Sequence, residues 1–199
     1  MSAALQVPAP LSLDEFLAWD APDDVRWQLV DGEPRAMALA SPVHSGIQNE
    51  LGRLIGNHLI GRGGQCRAYG TPGVMLGVRS DRNFRIPDVG VTCTALTPGE
   101  PAIPDPILLI EILSPSNPAE TWINVWAYTT ISSVQEILVI RTDTVGAYLL
   151  RRNADGTWPY VPASVDHGEL VLESIDFRTP FSTLYVGTWL VGNPEAASL

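Results

Sequence analysis

Near the N-terminus, the order of polar and apolar residues predicts a helix followed by a hairpin. Ser12 and Glu15 have the spacing of a capping box and precede an apolar segment, so we expect a short helix there. Asp31-Gly32 stands between two apolar segments, the first of which begins at Trp27. This dipeptide favours the tight turn of a β-hairpin.

Two longer helices are predicted further along the chain. A Ser-Pro pair at 41–42 marks the start of the first, because serine is a favoured N-cap and proline is tolerated at the first helical position. Its apolar stripe consists of Ile47, Leu51, Leu54, Ile55 and Leu59. An Asn-Pro pair at 117–118 starts the second, which is expected to run to about Ile131. A terminal helix is expected over 180–190.

Short apolar runs predict strands between and after these helices. They lie at residues 66–70, 73–79, 86–92, 107–113, 136–141, 145–151, 158–161 and 169–172. No internal repeat or linker interrupts the series. We therefore expect one α/β domain over residues 11–190, preceded by a flexible arm (1–10) and followed by a tail (191–199).

Charge and cysteine content narrow the range of functions. The net charge of −10 over 199 residues excludes a fold-wide basic surface for nucleic acid. All 12 basic residues are arginine, so Schiff-base chemistry and a P-loop lysine are excluded. Two cysteines make no disulfide framework, and no apolar run is long enough to cross a membrane. These features predict a soluble cytoplasmic protein with reduced thiols.

Glu111 is the most informative residue, because it interrupts the apolar segment 107–113. A strand that is hydrophobic on both faces is usually buried on both sides. A carboxylate buried there needs a cation, hydrogen bonds or a proton. Glu111 is therefore either a strand-end residue that reaches water or an arginine, or a metal ligand or acid–base group in a cleft.

Asp88 is the second candidate carboxylate. An aspartate after a proline is often a turn or cap residue, and Pro87 precedes it here. Between Asp88 and Glu111 the chain has room for a strand, a loop and a neighbouring strand. Two carboxylates on adjacent strands can share a Mg²⁺ ion, which commonly takes one or two carboxylates plus water and phosphate oxygens.

Three further features have both a structural and a functional interpretation. His44, in the first turn of the helix from residue 41, is either a core histidine or part of a site. An arginine-rich segment at 53–85, which includes Arg79, Arg82 and Arg85, is either a solvated surface or a contact for phosphates. Glu120, Asn124 and Tyr128 share one helix face, which is either plain surface or a wall of the same cleft. No zinc-ligand or dinucleotide-binding motif is present.

These residues occur within a longer resemblance. Its segments are WQLVDGE at 27–33, SPVH at 41–44, IPDV at 86–89, LIEILSPS at 109–116, Tyr128 and VQE at 134–136. Together, over about residues 11–190, they resemble the Uma-type "putative restriction endonuclease" family of the PD-(D/E)XK nuclease superfamily.

The resemblance implies a fold, an activity and a site. The implied fold is a restriction-endonuclease-like core, a mixed β-sheet flanked by helices, with an N-terminal helix and β-hairpin. By the same resemblance Asp88 and Glu111 would bind Mg²⁺, with Mn²⁺ as the alternative ion, and His44 would line the site of a homodimer. The implied reaction is phosphodiester hydrolysis in DNA by a metal-activated water.

Two positions depart from the family pattern. The family usually has Glu where Gln28 stands, and its lysine falls near Asn124. Gln28 can orient a water, and Asn124 can hydrogen-bond a water or a phosphate, but neither carries charge. Loss of one electrostatic stabiliser costs about 10²- to 10³-fold in rate. The sequence thus supports two hypotheses: a Mg²⁺-dependent DNA endonuclease, or a catalytically impaired nuclease-fold protein that binds nucleic acid or another protein.

Overall fold

Strands that are distant in sequence build the largest sheet of this protein. The computed structural model describes residues 10–22, 25–113 and 118–191. The helices of this part are α1 (Leu13–Leu17), α2 (Pro42–Gly61) and α3 (Pro118–Tyr128). Its strands are β1 (Trp27–Val30), β2 (Glu33–Ala36), β3 (Arg67–Gly70), β4 (Val74–Met75), β5 (Phe84–Arg85), β6 (Val89–Thr92), β7 (Pro106–Ile112), β8 (Glu136–Ile140), β9 (Ala147–Arg151), β10 (Ala163–Val165), β11 (Glu169–Leu172) and β12 (Phe177–Pro180).

The main sheet has six strands in the order β10-β9-β8-β7-β6-β3. The pairing of β7 with β8 is parallel, and the other pairings are antiparallel. The parallel pair needs a crossover connection, and α3 supplies it. This arrangement is the mixed α/β sheet that the sequence predicted.

Helices cover both faces of this sheet. Alternate residues of β7 point to opposite faces, so Leu108, Ile110 and Ile112 pack against α2, whereas Leu109 packs against α3. The stripe of α2 contributes four fully or nearly fully buried side chains, namely Ile47, Leu51, Ile55 and Leu59, with Leu54 half-buried. Both faces of β7 are therefore apolar except where Glu111 points towards the α3 side.

A second sheet has four strands in the order β2-β1-β5-β4. The turn of its hairpin is formed by Asp31-Gly32, both with positive φ, as the sequence predicted. Ser12 and Glu15 complete the capping box of α1, and Phe16 packs on Phe84 of β5. Strand β5 ends three residues before Asp88, which directly precedes β6. The second sheet therefore fixes the backbone that leads to Asp88.

Several predicted elements differ from the observed ones. The strand predicted over 73–79 is only β4, and the one over 86–92 begins after Pro87, which has no N–H for a sheet hydrogen bond. Residues 158–161 form no strand, because Trp158 instead packs under the guanidinium of Arg152 and donates to the Thr129 carbonyl.

The C-terminal part also departs from the prediction. The helix expected over 180–190 is a 3₁₀ turn at Phe181–Tyr185, preceded by β12, which pairs with β11. Helix α3 ends at Tyr128 rather than near Ile131, because the amides of Thr130 and Ile131 bond back three residues. Its predicted cap Asn117, the arm residues 1–9 and the tail residues 192–199 lie outside the described residues. The division into arm, domain and tail stays a prediction.

The expectation of reduced thiols was wrong. Cys66 and Cys93 form a disulfide. The register pairs Arg67 with Thr92, so the two cysteines stand opposite each other at the end of the β3–β6 ladder. Across the residues that the structure describes, none of the helices is both long and apolar enough to span a membrane.

Candidate functional site

Asp88 and Glu111 face each other across two antiparallel strands. Val89 of β6 pairs with Ile110 of β7, and the same register extended by one residue sets Asp88 opposite Glu111. Both carboxylates are buried, each residue being 7% exposed. The amide of Ile112 donates a hydrogen bond of 2.7 Å to Oδ2 of Asp88, which fixes that carboxylate against β7.

The environment of Glu111 favours its neutral form. Burial raises the pKa of Glu111 well above its usual range, and the nearby charge of Asp88 raises it further. The Tyr128 hydroxyl donates a hydrogen bond of 2.6 Å to Oε1 of Glu111, which acts in the opposite direction. Burial also raises the pKa of Tyr128, so its hydroxyl keeps its proton and remains a donor.

Helix α2 brings His44 and Gln48 to Asp88. Ser41 caps the helix by accepting a hydrogen bond from the amide of His44, which places this residue in the first turn. Its Nε2 lies 3.2 Å from Oδ2 of Asp88, and Nδ1 has no hydrogen-bond partner among the described residues. One turn later, Nε2 of Gln48 donates to the backbone carbonyl of Asp88 at 2.8 Å.

Gln28 and Asn124, the two positions that depart from the family pattern, contact each other. Nδ2 of Asn124 donates to Oε1 of Gln28 at 3.4 Å, and Nε2 of Gln28 donates to Glu120 at 3.3 Å. Gln28 is 2% exposed and Asn124 is 7% exposed. The polar face of α3 is therefore a wall of the cleft and not plain surface, since Tyr128 on the same face reaches Glu111.

The three candidate arginines do not lie together. Arg79 and Arg82 are exposed and lie outside the cleft, where Arg79 pairs with Asp31 of the β1–β2 turn and Arg82 pairs with its neighbour Asp81. Arg85 is buried and donates to Asn124 at 3.0 Å and to the carbonyl of Leu29. A buried guanidinium with these partners cannot reach a phosphate, so the structure does not support a direct contact from Arg85.

An open cleft of about 670 Å³ joins these groups. Its lining includes His44, Asp88, Glu111, Gln28 and Asn124, and Arg26 is the one arginine among the described lining residues. The cleft therefore brings together all five of the residues that the sequence singled out for catalysis.

The donor set of the cleft fits a hard divalent cation. Among the described residues no group of three or more His, Cys, Asp and Glu side chains could hold a metal ion. The fit therefore rests on Asp88 and Glu111, because a divalent cation would offset the negative charge that burial and Asp88 disfavour on Glu111. Mg²⁺ is bound in this way, by one or two carboxylates with water in the remaining positions.

Some contacts were not recognised from the sequence. The helical pattern puts Tyr128 on the polar face of α3, but nothing in the sequence indicates its hydrogen bond to Glu111. The contact of Gln48 with Asp88 adds a further residue to the site. Gln48 has a local signal, because it follows His44 by four residues and so shares its helix face. The amide of Ile112 has no signal in the sequence, since its role depends only on the register of β6 and β7.

The fold defines a mixed α/β protein whose open cleft contains two opposed carboxylates. A crystal structure titled as a putative nuclease belonging to DUF820 from Anabaena variabilis has the same fold, with a TM-score of 0.72. The alignment covers 92% of this chain and 100% of that one, at 21% sequence identity.

The sequence comparison assigns the family. Residues 13–181 match the Uma2 family, described as "putative restriction endonuclease", and the chain belongs to it. The uncharacterized protein slr1290 of Synechocystis sp. is 30% identical over 179 residues, which is 89% of this chain and 92% of that protein. The predicted family and fold class are thereby confirmed.

Proposed function

We propose that this protein is a Mg²⁺-dependent endonuclease that hydrolyses phosphodiester bonds in DNA. Family membership supports the nuclease class, and the opposed carboxylates of Asp88 and Glu111 at the floor of an open cleft support the metal-dependent mechanism. The buried pair is the observation that carries the proposal. A second negative charge directly opposite Asp88 is disfavoured on Glu111, and a divalent cation would offset this cost.

We assign a different role in the proposed reaction to each group of side chains in the cleft. Asp88 and Glu111 would hold Mg²⁺, with Mn²⁺ as the alternative ion. Mg²⁺, when bound, supplies an activated water and offsets charge on the phosphate oxygens. Tyr128 donates to Oε1 of Glu111 and so restrains the carboxylate, while His44 contacts Oδ2 of Asp88. Gln28 and Asn124 would orient a water or a phosphate oxygen.

Calorimetry tests the metal site directly. We expect Mg²⁺ to bind the wild-type protein with a measurable heat that Glu111→Ala abolishes, and Mn²⁺ to behave in the same way. Glu50→Ala is the matched control, because Glu50 is a carboxylate of α2 that pairs with Arg53 outside the cleft. Equal, negligible heats for the wild type and Glu111→Ala would contradict the metal site.

Nicking of supercoiled plasmid tests the reaction. Activity should require Mg²⁺ or Mn²⁺ and should be absent from the double variant Asp88→Ala with Glu111→Ala. Nicking that survives in this variant at the wild-type rate would place the activity elsewhere or in a contaminant.

A binding module without catalysis is the second candidate. It is favoured by the contact between Gln28 and Asn124, because an amide pair replaces the charged groups usual in the family. The net charge of −10 and the single arginine among the described lining residues disfavour a phosphate backbone and so favour a protein partner of such a module over a nucleic acid. DNA binding without nicking in Mg²⁺ or Mn²⁺ would identify this function. The homodimer and the cytoplasmic location stay predictions.

A further inference from the structure

Arg85 is a buried cation whose hydrogen bonds, among the described residues, go to neutral groups. It lies in β5, 3% exposed, and its guanidinium donates to the carbonyl of Leu29 and to Oδ1 of Asn124. Within the described residues no carboxylate forms a salt bridge with it. Burial lowers the pKa of Arg85, with nearby Tyr128, Asp31 and Glu120 acting against this shift. An arginine remains protonated in proteins, so the charge of Arg85 is permanent.

A permanent donor sets the direction of the hydrogen bonds beyond it. Because Nε of Arg85 can only donate, Asn124 must turn Oδ1 towards it and Nδ2 away. Nδ2 then donates to Oε1 of Gln28, and Nε2 of Gln28 is left to donate to Glu120. This series of three hydrogen bonds runs from the Arg85 cation to the Glu120 carboxylate. Reversal of either amide would break at least two of the three bonds.

This direction determines what the cleft can recognise. Each amide nitrogen carries two hydrogens, and the series of hydrogen bonds from Arg85 to Glu120 uses one of them. In the described part of the molecule, no second acceptor meets Nδ2 of Asn124 or Nε2 of Gln28, and both residues line the cleft. The remaining hydrogens are donors on the wall beside the acceptors Asp88 and Glu111. Reversed amides would offer carbonyl oxygens instead and would repel a phosphate.

We propose that Arg85 is a positioning residue, which acts through Asn124 and Gln28 to turn N–H donors into the cleft for a non-bridging oxygen of a phosphodiester. The phosphodiester part rests on the proposed function. The directing role of Arg85 follows from the hydrogen bonds alone.

The first experiment needs neither metal nor substrate. In the metal-free wild-type protein, the side-chain NH₂ groups of Asn124 and Gln28 should each give one sharp pair of ¹H–¹⁵N resonances. Arg85→Met should broaden or double both pairs, because either amide direction becomes available. Arg53→Met is the matched control, since Arg53 lies on the exposed face of α2, and it should leave both pairs unchanged. Unchanged pairs in Arg85→Met would overturn the proposal.

A second variant decides the question if Arg85→Met does not fold. In Asn124→Asp, Arg85 still has an acceptor at position 124, and this acceptor is now a carboxylate, which binds a cation more strongly. The substitution removes the N–H that donates to Gln28. We expect a folded protein in which the Gln28 pair alone is broadened or doubled. If the Gln28 NH₂ resonances were identical to those of the wild type, the hydrogen bond from Asn124 would not fix the direction of the Gln28 amide.

The second experiment measures recognition of a phosphodiester. The probe is the dinucleotide thymidylyl-(3′→5′)-thymidine, titrated in Ca²⁺, whose flexible coordination tolerates the same carboxylates. Arg85→Met should weaken dinucleotide binding by about three- to tenfold, the effect of one or two neutral hydrogen bonds. The affinity for Ca²⁺ alone should not change, because Asp88 and Glu111 keep their contacts. Equal dinucleotide affinity would overturn the phosphodiester part.

The two experiments separate two kinds of failure. A wild-type protein that binds neither Ca²⁺ nor the dinucleotide would overturn the proposed function and the phosphodiester part together. The resonances of the metal-free protein would still establish or refute the directing role of Arg85.

Discussion

The hydroxyl group of Tyr128 donates a hydrogen bond of 2.6 Å to Oε1 of Glu111, and both groups are buried. Tyr128 is the last residue of α3, and Glu111 lies in β7, so this bond joins the helix to the strand that carries the carboxylate pair. The Tyr128 hydroxyl bonds to Oε1 and not to Oε2 of Glu111. The bond therefore links the stability of the fold to the geometry of the site.

Tyr128→Phe removes this donor and little else. We expect the free energy of unfolding in metal-free buffer to fall by about 1–2 kcal/mol, because a buried carboxyl oxygen loses its hydrogen bond. Chemical denaturation with urea measures the change. Tyr148→Phe is the control, since the Tyr148 ring packs on Trp122 and does not reach the carboxylates. An equal loss in the two variants would contradict the special role of Tyr128.

Glu111→Gln should be neutral or stabilising in metal-free buffer, because it removes the repulsion between Glu111 and Asp88. The melting temperature in EDTA gives the result. A large decrease would instead identify Glu111 as half of a structural ion pair. With Mg²⁺ the order should reverse, since only the wild type gains stability from binding the ion.

The raised pKa of Glu111 has a predictable effect on stability as a function of pH. The folded state holds this proton more tightly than the unfolded state, so stability is fully present below the usual pKa of a glutamate. It is lost as pH rises from there towards the folded-state pKa. The difference in melting temperature between Glu111→Gln and the wild type should therefore grow with pH in EDTA. A difference that stays constant between pH 4 and 8 would contradict the shift.

The disulfide predicts a response to reductant. Cys66 and Cys93 close a loop with a sequence separation of 27, and opening such a loop by reduction costs about 3.5 kcal/mol in the chain-entropy account. We expect dithiothreitol to lower the free energy of unfolding by this order. Mass spectrometry after alkylation without reductant checks the pairing. Two alkylated thiols in the untreated protein would restore the expectation of reduced cysteines.

Substitution of two glycines by alanine should have opposite effects on the stability of the protein. A Cβ at Gly77 would lie 2.0 Å from the backbone oxygen of Thr130, so Gly77→Ala requires a backbone shift and should destabilise the protein by more than about 1 kcal/mol. Nothing lies within 4 Å of a Cβ at Gly52 in α2, so Gly52→Ala should stabilise it by about 0.5–1 kcal/mol. Thermal unfolding of both variants provides the test. Equal effects would contradict the close approach at Gly77.

Elements whose signals are local can be predicted from the amino-acid sequence. The capping box of Ser12 and Glu15 and the turn at Asp31-Gly32 depend on hydrogen bonds and dihedral angles within a few residues, so a short segment contains all the information they need. Glu111 stood out for a similar reason, because a carboxylate within an apolar strand must have a special environment. The family pattern then supplied Asp88 as its partner.

Contacts between groups that are distant along the chain depend on the folded arrangement of the strands and helices. The opposition of Asp88 and Glu111, the pairing of Cys66 with Cys93 and the burial of Arg85 behind Asn124 all depend on strand register and helix packing. A shift of one residue in β6 would send each side chain to the other face of the sheet, although the local sequence would be the same. Register is fixed by the burial of the whole apolar face, which no single segment contains.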